Sequence, residues 1–229
     1  MRALDAETGE LIPITVSAET CVSGRLLLPL GARACYLLAH GAGAGMEHPA
    51  MRAVAAGLAS VHIATLRYQF PYMQRGSRRP DAPALCHATV RAAVATATRL
   101  VPGLPLFAGG RSFGGRMTSQ AQALQPLPAV RGLAFLGFPL HPAGQPSETR
   151  AEHLFQVQVP MLFLQGTRDA LAEQARLESL VERLGPHATL QLIADADHSF
   201  HVPRRSGRSD AEVLEGVLAM LAAWTEHAA

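Results

Sequence analysis

Apolar residues along the chain fall into two alternating patterns: short unbroken runs and longer stretches with a helical period. The runs ACYLLAH (34–40), VHIATLRY (61–68), PLFAGG (105–110), VRGLAFLGF (130–138) and PMLFLQG (160–166) read as strands covered on both faces. TLQLIA (189–194) is a further strand. At the front, ITVSAE (14–19) and GRLLLP (24–29) read as an antiparallel pair turning near residues 20–23. Between the strands, apolar residues recur at helical spacing. The sets are Met51, Val54, Ala55 and Leu58; Val90, Val94, Ala97 and Val101; Leu177, Leu180, Val181 and Leu184; and Val213, Val217, Met220, Leu221 and Trp224. RSFGGRMTSQAQAL (111–124) turns sharply from strand into helix. Ser209 and Glu212 form a capping box at the start of the last helix. FPYMQRGSRRPDAP (70–83) reads as a loop, and residues 139–159 leave room for a loop and one short helix at most.

Strands alternating with helices of this length imply right-handed crossovers and an α/β fold. The expectation is a mostly parallel sheet of about eight strands, helices on both faces, an antiparallel pair at one edge and little or no lid. No linker or repeat divides the chain, so residues 1–229 are expected to form one domain. In such sheets ligands bind where the strands end, which directs attention to the loops after them.

Composition narrows the class. With 48% apolar and 17% charged residues the chain is rich enough in core material to fold. The formal charge of +2 gives nucleic-acid binding no support. All twenty basic residues are arginine, and Lys and Asn are absent, which a GC-rich genome explains. Cys21, Cys35 and Cys86 lack metal-like spacing and read as free thiols in a reducing compartment. The segment MRALDAETGELIP has no apolar run of the secretory kind, and no stretch reaches the length of a membrane span. A cytoplasmic protein is expected, monomer or homodimer, with no membrane or nucleic-acid partner.

The chemistry concentrates after the strands. Gly110-Arg111-Ser112-Phe113-Gly114 is a G-x-S-x-G sequence between a strand and a helix. So tight a turn leaves no room for side chains two residues either side of the serine, lifts Ser112 clear of the sheet and leaves the Phe113 N–H at a helix N-terminus. Ser112 is the candidate nucleophile, and the GRS at 207–209 is better read as a helix cap. A serine needs a base, and the base an orienting acid. Asp169 follows the strand 160–166 and His198 follows the strand 189–194, in the expected chain order. Capping of the next helix is the plainer role open to Asp169. His201 competes as base, Asp195 is a minor alternative acid, and Asp197 is too close in sequence to His198 to orient it. His40 ends the third strand and is expected to anchor the loop after it. The loop Gly41-Ala42-Gly43-Ala44-Gly45 can bring backbone N–H groups to a substrate oxygen, most plausibly that of Ala42, with Gly41 and Gly43 against the substrate. It matches neither a phosphate loop nor a dinucleotide fingerprint. No metal spacing is present, and no metal or cofactor is implied.

HGAGAGM, FPYMQR, GGRSFGGRM and LQGTRD resemble the α/β-hydrolase superfamily along essentially the whole chain. The likeness is to small, lid-poor members of the dienelactone-hydrolase type, a group related to testis-expressed and chromatin-complex α/β-hydrolase-like proteins. The resemblance implies Ser112, Asp169 and His198 as a triad. Ser112 stands where dienelactone hydrolases carry cysteine, so lactone-opening specificity is not carried over. Arg75, Arg78, Arg79, Arg111, Arg168, Arg204, Arg205 and Arg208 fall near the strand ends. Arg75 and Arg111 are candidate substrate contacts, since guanidinium groups pair with carboxylates and phosphates, although solvated loop arginines are the plainer account. Phe113, Phe138, Met73 and Tyr72 are candidates for an apolar wall. The expected activity is serine hydrolysis of a carboxylic ester or thioester of a small to medium acyl group in a small molecule. The alternative is a non-catalytic module of the same fold that binds a partner or ligand.

Overall fold

A computed structural model describes residues 9–228; the expected domain also includes residues 1–8 and 229, and most of the segment MRALDAETGELIP, which lie outside the described residues. Eight described strands form one sheet. They are β1 (Glu10–Thr15), β2 (Cys21–Leu27), β3 (Ala34–Ala39), β4 (Ile63–Tyr68), β5 (Leu106–Arg111), β6 (Val130–Leu136), β7 (Met161–Gly166) and β8 (Ala188–Ile193). Their spatial order is β1-β2-β4-β3-β5-β6-β7-β8. Only β2 runs against its neighbours β1 and β4; the remaining pairs are parallel. Every residue of β3, β4 and β7 is buried, whereas the edge strands β1 and β8 alternate. That contrast is the physical source of the unbroken apolar runs.

The helices are α1 (Pro49–Ser60), a single turn α2 (Pro71–Gln74), α3 (Pro83–Leu100), α4 (Phe113–Leu124), α5 (Gln174–Leu184) and α6 (Asp210–His227). One face of the sheet is covered by α1 and α6 through Met51, Val54, Leu58, Val213, Val217 and Leu221. The other face is covered by α3, α4 and α5 through Val90, Val94, Met117, Leu177 and Leu180. The capping box at Ser209 and Glu212 is formed.

Three expectations need correction. The opening pair lies at 10–15 and 21–27 rather than 14–19 and 24–29, because Ile12 and Ile14 supply the inward face of β1 opposite Val22 and Leu26. Residues 16–20 make the turn, with the Val16 and Ser17 N–H groups donating to the Thr20 carbonyl. The loop 70–83 contains the helical turn α2, and Pro71 and Pro83 each open a helix at its first position. Met220 is 40% exposed; Leu218 and Ala222 take its place in the buried face of α6.

The sheet meets the future site through the end of β3. A Cβ on Gly110 would lie 2.2 Å from the Ala39 carbonyl oxygen, and one on Gly114 would lie 2.5 Å from the same atom. Gly110 also has φ +147°, a conformation closed to other residues. His40, fully buried just beyond β3, accepts the Phe70 N–H at Nε2 (3.1 Å), so its proton resides on Nδ1 and is donated to the Gly41 carbonyl (2.8 Å). Burial pushes the His40 imidazole down to about 4.

Gly114→Ala, whose backbone obstacle cannot swing aside, should destabilise the fold by about 3 kcal/mol or more. Gly216→Ala in α6 meets nothing and should stabilise by about 0.5–1 kcal/mol; urea denaturation reads both. For His40 the native pKa lies below the unfolded one, so the unfolded chain binds the proton more readily between about pH 6.5 and 4. Stability should be unaffected above that window and should fall through it on acidification, by up to about 1.4 kcal/mol per pH unit. His40→Gln, whose amide oxygen can accept the Phe70 N–H, should flatten that slope in urea titrations at pH 5 and 7.5.

Candidate active site

Ser112 occupies the turn between β5 and α4 at φ +48°, ψ −114°. A non-glycine residue held there is strained by roughly 1–3 kcal/mol, a feature that concentrates at functional positions. The strain is imposed from below: Gly110 and Gly114 rest on the end of β3 and leave the serine the top of the turn. Among the described residues Ser112 Oγ makes no hydrogen bond, and the N–H of Phe113 has no protein acceptor.

Asp169 follows β7 and is 5% exposed. Its Oδ1 accepts the Leu171 N–H (2.8 Å), and its Oδ2 accepts both Gln165 Nε2 (2.5 Å) and His198 Nδ1 (2.6 Å). The orientation of Gln165 is fixed because its Oε1 accepts the Phe138 N–H at 2.8 Å, which turns the NH₂ toward Asp169. Asp169 does not cap α5, whose cap position is Glu173. With its Nδ1 proton given to Asp169, His198 keeps Nε2 as the nitrogen able to accept a proton.

The loop after β8 is built around a different carboxylate. Asp197 Oδ1 accepts the N–H groups of Ser199 (2.7 Å) and His201 (3.0 Å) and so shapes the turn that carries His198. Asp195 lies at φ +60° with its N–H on Thr167 Oγ1. His201 is exposed and bonded to Asp210 (2.9 Å), which raises its basicity, and it does not line the cavity described below.

The glycine loop after β3 is pinned from the β4 side. The Met46 N–H donates to Gln69 Oε1 (2.8 Å), the Met46 carbonyl accepts buried Arg67 (3.0 Å), and the Gly43 N–H donates to the Tyr72 hydroxyl (3.4 Å). Ala44 N–H turns back to the Gly41 carbonyl (3.2 Å). The Ala42 N–H has no acceptor among the described residues.

These pieces enclose a cavity of about 300 Å³. Ser112, His198, Arg111 and Ser199 line one side, and Gly41, Ala42 and Ala44 line another. Met51, His48 and Leu171 complete the wall. Of the four residues expected to form an apolar wall, Tyr72 and Phe138 are fully buried in the core and none lines the cavity. Arg75 is paired with Asp81 (2.5 Å), and neither it nor Gly43 lines the cavity. Three larger surface grooves lack Ser112 and His198: two, of about 570 and 530 Å³, contain neither serine nor histidine, and a third, of about 490 Å³, is lined by His141 and Ser147.

A serine–histidine hydrogen bond away from this cavity, Ser119 Oγ to His153 Nε2 (2.7 Å), ties α4 to the 3₁₀ helix Thr149–Gln156. Ser119 also donates to the Arg116 carbonyl, no carboxylate orients His153 among the described residues, and burial with Arg116 nearby holds that imidazole down to about 4. It is a brace between helices. Gln165, Arg67 and Gln69 hold positions around the site that the sequence pattern does not single out. The signal for the first two was a polar residue near the carboxyl end of an apolar run.

No described helix is long and apolar enough to cross a membrane, and no described group of His, Cys, Asp or Glu is placed to hold a metal ion. Comparison with solved structures finds a dienelactone hydrolase from Anabaena variabilis, 25% identical, TM-score 0.76, over 95% of this chain and 96% of that one. A lidless α/β serine hydrolase from Xanthomonas campestris matches at 18% identity and TM-score 0.73, over 97% and 98%. Est1E from Butyrivibrio proteoclasticus, solved with ferulic acid, matches at 15% and 0.72, over 92% and 97%. The family model described as alpha/beta hydrolase domain matches residues 32–226. With the sheet order, the strained serine turn and the acid–histidine pair in place, the chain belongs to the alpha/beta hydrolase domain family.

Proposed function

We propose that the protein is a serine hydrolase that cleaves a carboxylic ester or thioester of a small to medium acyl group, with Ser112 as nucleophile, His198 as base and Asp169 as orienting acid. The observation that supports this reading most is the 2.6 Å bond from His198 Nδ1 to buried Asp169, on a histidine that shares a cavity with a strained, unbonded Ser112. His198 Nε2 takes the Ser112 proton as Oγ attacks the substrate carbonyl carbon. The carbonyl π electrons move to oxygen, and the N–H groups of Ala42 and Phe113 stabilise the oxyanion. Collapse expels the alkoxide or thiolate, which receives the proton from His198 and leaves an acyl-serine. Water, deprotonated by His198, attacks that acyl group and releases the acid, while Ser112 regains its proton. Asp169 keeps the imidazole in the tautomer that works and stabilises its cationic form. Every group invoked lies on one chain, and the substrate is a small molecule.

The likeness to a dienelactone hydrolase supports hydrolytic chemistry but leaves the substrate to the cavity itself. Its modest volume and wall of Met51, Ala44 and Leu171 suit short or medium acyl chains. On p-nitrophenyl esters from acetate to decanoate, kcat/KM should peak among the shorter chains. Ser112→Ala should lower kcat/KM on the order of 10⁴-fold or more, and Asp169→Asn by about 10⁴-fold, because an amide can donate to Nδ1 and trap the wrong tautomer. Activity retained within tenfold in both folded variants would remove the triad from consideration.

A further inference from the structure

Arg111 is the residue before the candidate nucleophile, and its environment is unlike that of the other arginines near the strand ends. Arg75, Arg78, Arg79, Arg168, Arg204, Arg205 and Arg208 are all exposed. Three of them are also tied to protein acceptors: Arg75 to Asp81, Arg168 to the Asp195 carbonyl (3.4 Å) and Arg208 to the Ala194 carbonyl. Arg111 is half-buried. It lines the cavity that holds Ser112 and His198, and also a smaller recess of about 110 Å³ against α1 and α6. Among the described residues its guanidinium makes no hydrogen bond and no ion pair.

Two carboxylates around it are engaged elsewhere. Asp197 faces it electrostatically, yet its Oδ1 is taken by the Ser199 and His201 N–H groups. Asp210 lines the same recess but is bonded to the His201 ring and to the Val202 N–H (3.0 Å). Burial pushes the Arg111 guanidinium below its ordinary range, with Asp197 opposing, and it remains a cation at neutral pH. A half-buried cation whose five donors reach the cavity without a described protein acceptor is open to pairing with a ligand. An anionic oxygen group entering the cavity would supply them.

Resting on the serine-hydrolase reading of the same cavity, we propose that Arg111 is the specificity residue for a substrate carboxylate close to the scissile carbonyl. The substrate class is then the half-ester or half-thioester of a short dicarboxylic acid, or an ester whose alcohol portion bears a carboxylate. Two features favour a carboxylate over a phosphate. The planar guanidinium matches a carboxylate two bonds to two, and a single cation with Asp197 and Asp210 nearby suits a monoanion better than a dianion. Proximity follows from the cavity: Arg111, Ser112 and His198 line one space of about 300 Å³, so a group held there by Arg111 lies within a few bonds of the carbon that Ser112 attacks.

The test compares p-nitrophenyl hemiglutarate with p-nitrophenyl valerate, an ester of equal chain length without the charge. Wild type should favour the anionic ester in kcat/KM by on the order of ten- to a hundredfold, the range of a charged hydrogen bond. In Arg111→Gln the ratio should collapse toward one; in Arg111→Lys, which keeps the charge without the planar fork, it should fall between. Thermal unfolding of each variant establishes that it is folded. Binding is read separately, by calorimetry of monomethyl glutarate against methyl valerate on Ser112→Ala protein with and without Arg111→Gln. Selective binding of the anion that Arg111→Gln removes supports the assignment, even on a protein that hydrolyses nothing, in which case the hydrolase reading fails alone. A wild-type enzyme that prefers valerate, or binding that does not distinguish the two ligands, overturns the Arg111 assignment and leaves the hydrolase reading standing. If p-nitrophenyl phosphopropionate outcompetes the hemiglutarate, the carboxylate assignment is overturned in favour of phosphate.

Discussion

The close approach of the β5–α4 turn to the end of β3 is the constraint from which the site follows. Two glycines rest on one carbonyl, that of Ala39, at distances no Cβ could tolerate. That contact fixes the turn's height over the sheet, forces Ser112 to φ +48° and leaves the Phe113 N–H unbonded at the start of α4. The next residue of the same strand end, His40, carries the geometry sideways by binding Phe70 and Gly41, so the glycine loop and the serine turn are set against one reference point. Local strain at Ser112 is thus held by a buried sheet rather than by contacts within the site.

Around that point the carboxylates divide their work by burial. Asp169, shielded and holding three donors, meets the His198 ring. Asp197, more open, holds the backbone of the His198 loop. Asp210, exposed at the start of α6, fastens the following residues through His201 and Val202. One imidazole is therefore positioned by three acids, only one of which touches it. Arg111 stands among them without a partner among the described residues, which gives the cavity a polarity that its apolar wall alone would lack.

Much of this was legible in the sequence because each element announces itself in one dimension. Apolar runs mark strands buried on both faces, and Ser112, Asp169 and His198 each follow such a run or the last strand, so their shared edge of the sheet could be read from order alone. What escaped depends on packing between distant segments. Gln165 and Arg67 sit inside apolar runs, and only the fold shows that their side chains reach Asp169 and the Met46 carbonyl. The first strand began earlier than its β-branched residues suggested because register is chosen by the inward face opposite β2. The cavity wall differs from the expected one for a related reason: aromatic residues near the site are drawn into the core, and Ala44, Met51 and Leu171 are left to line the cavity.

The central claim is that this geometry makes Ser112 a working nucleophile. Its most direct test is intact-mass and peptide mapping after exposure to a fluorophosphonate, which phosphonylates serines activated by a neighbouring base. A single adduct on Ser112, absent from Ser112→Ala and strongly slowed in Asp169→Asn, is the expected result. A folded wild-type protein that acquires no adduct, or acquires it equally without Asp169, would contradict the claim and point to a binding module on the same fold.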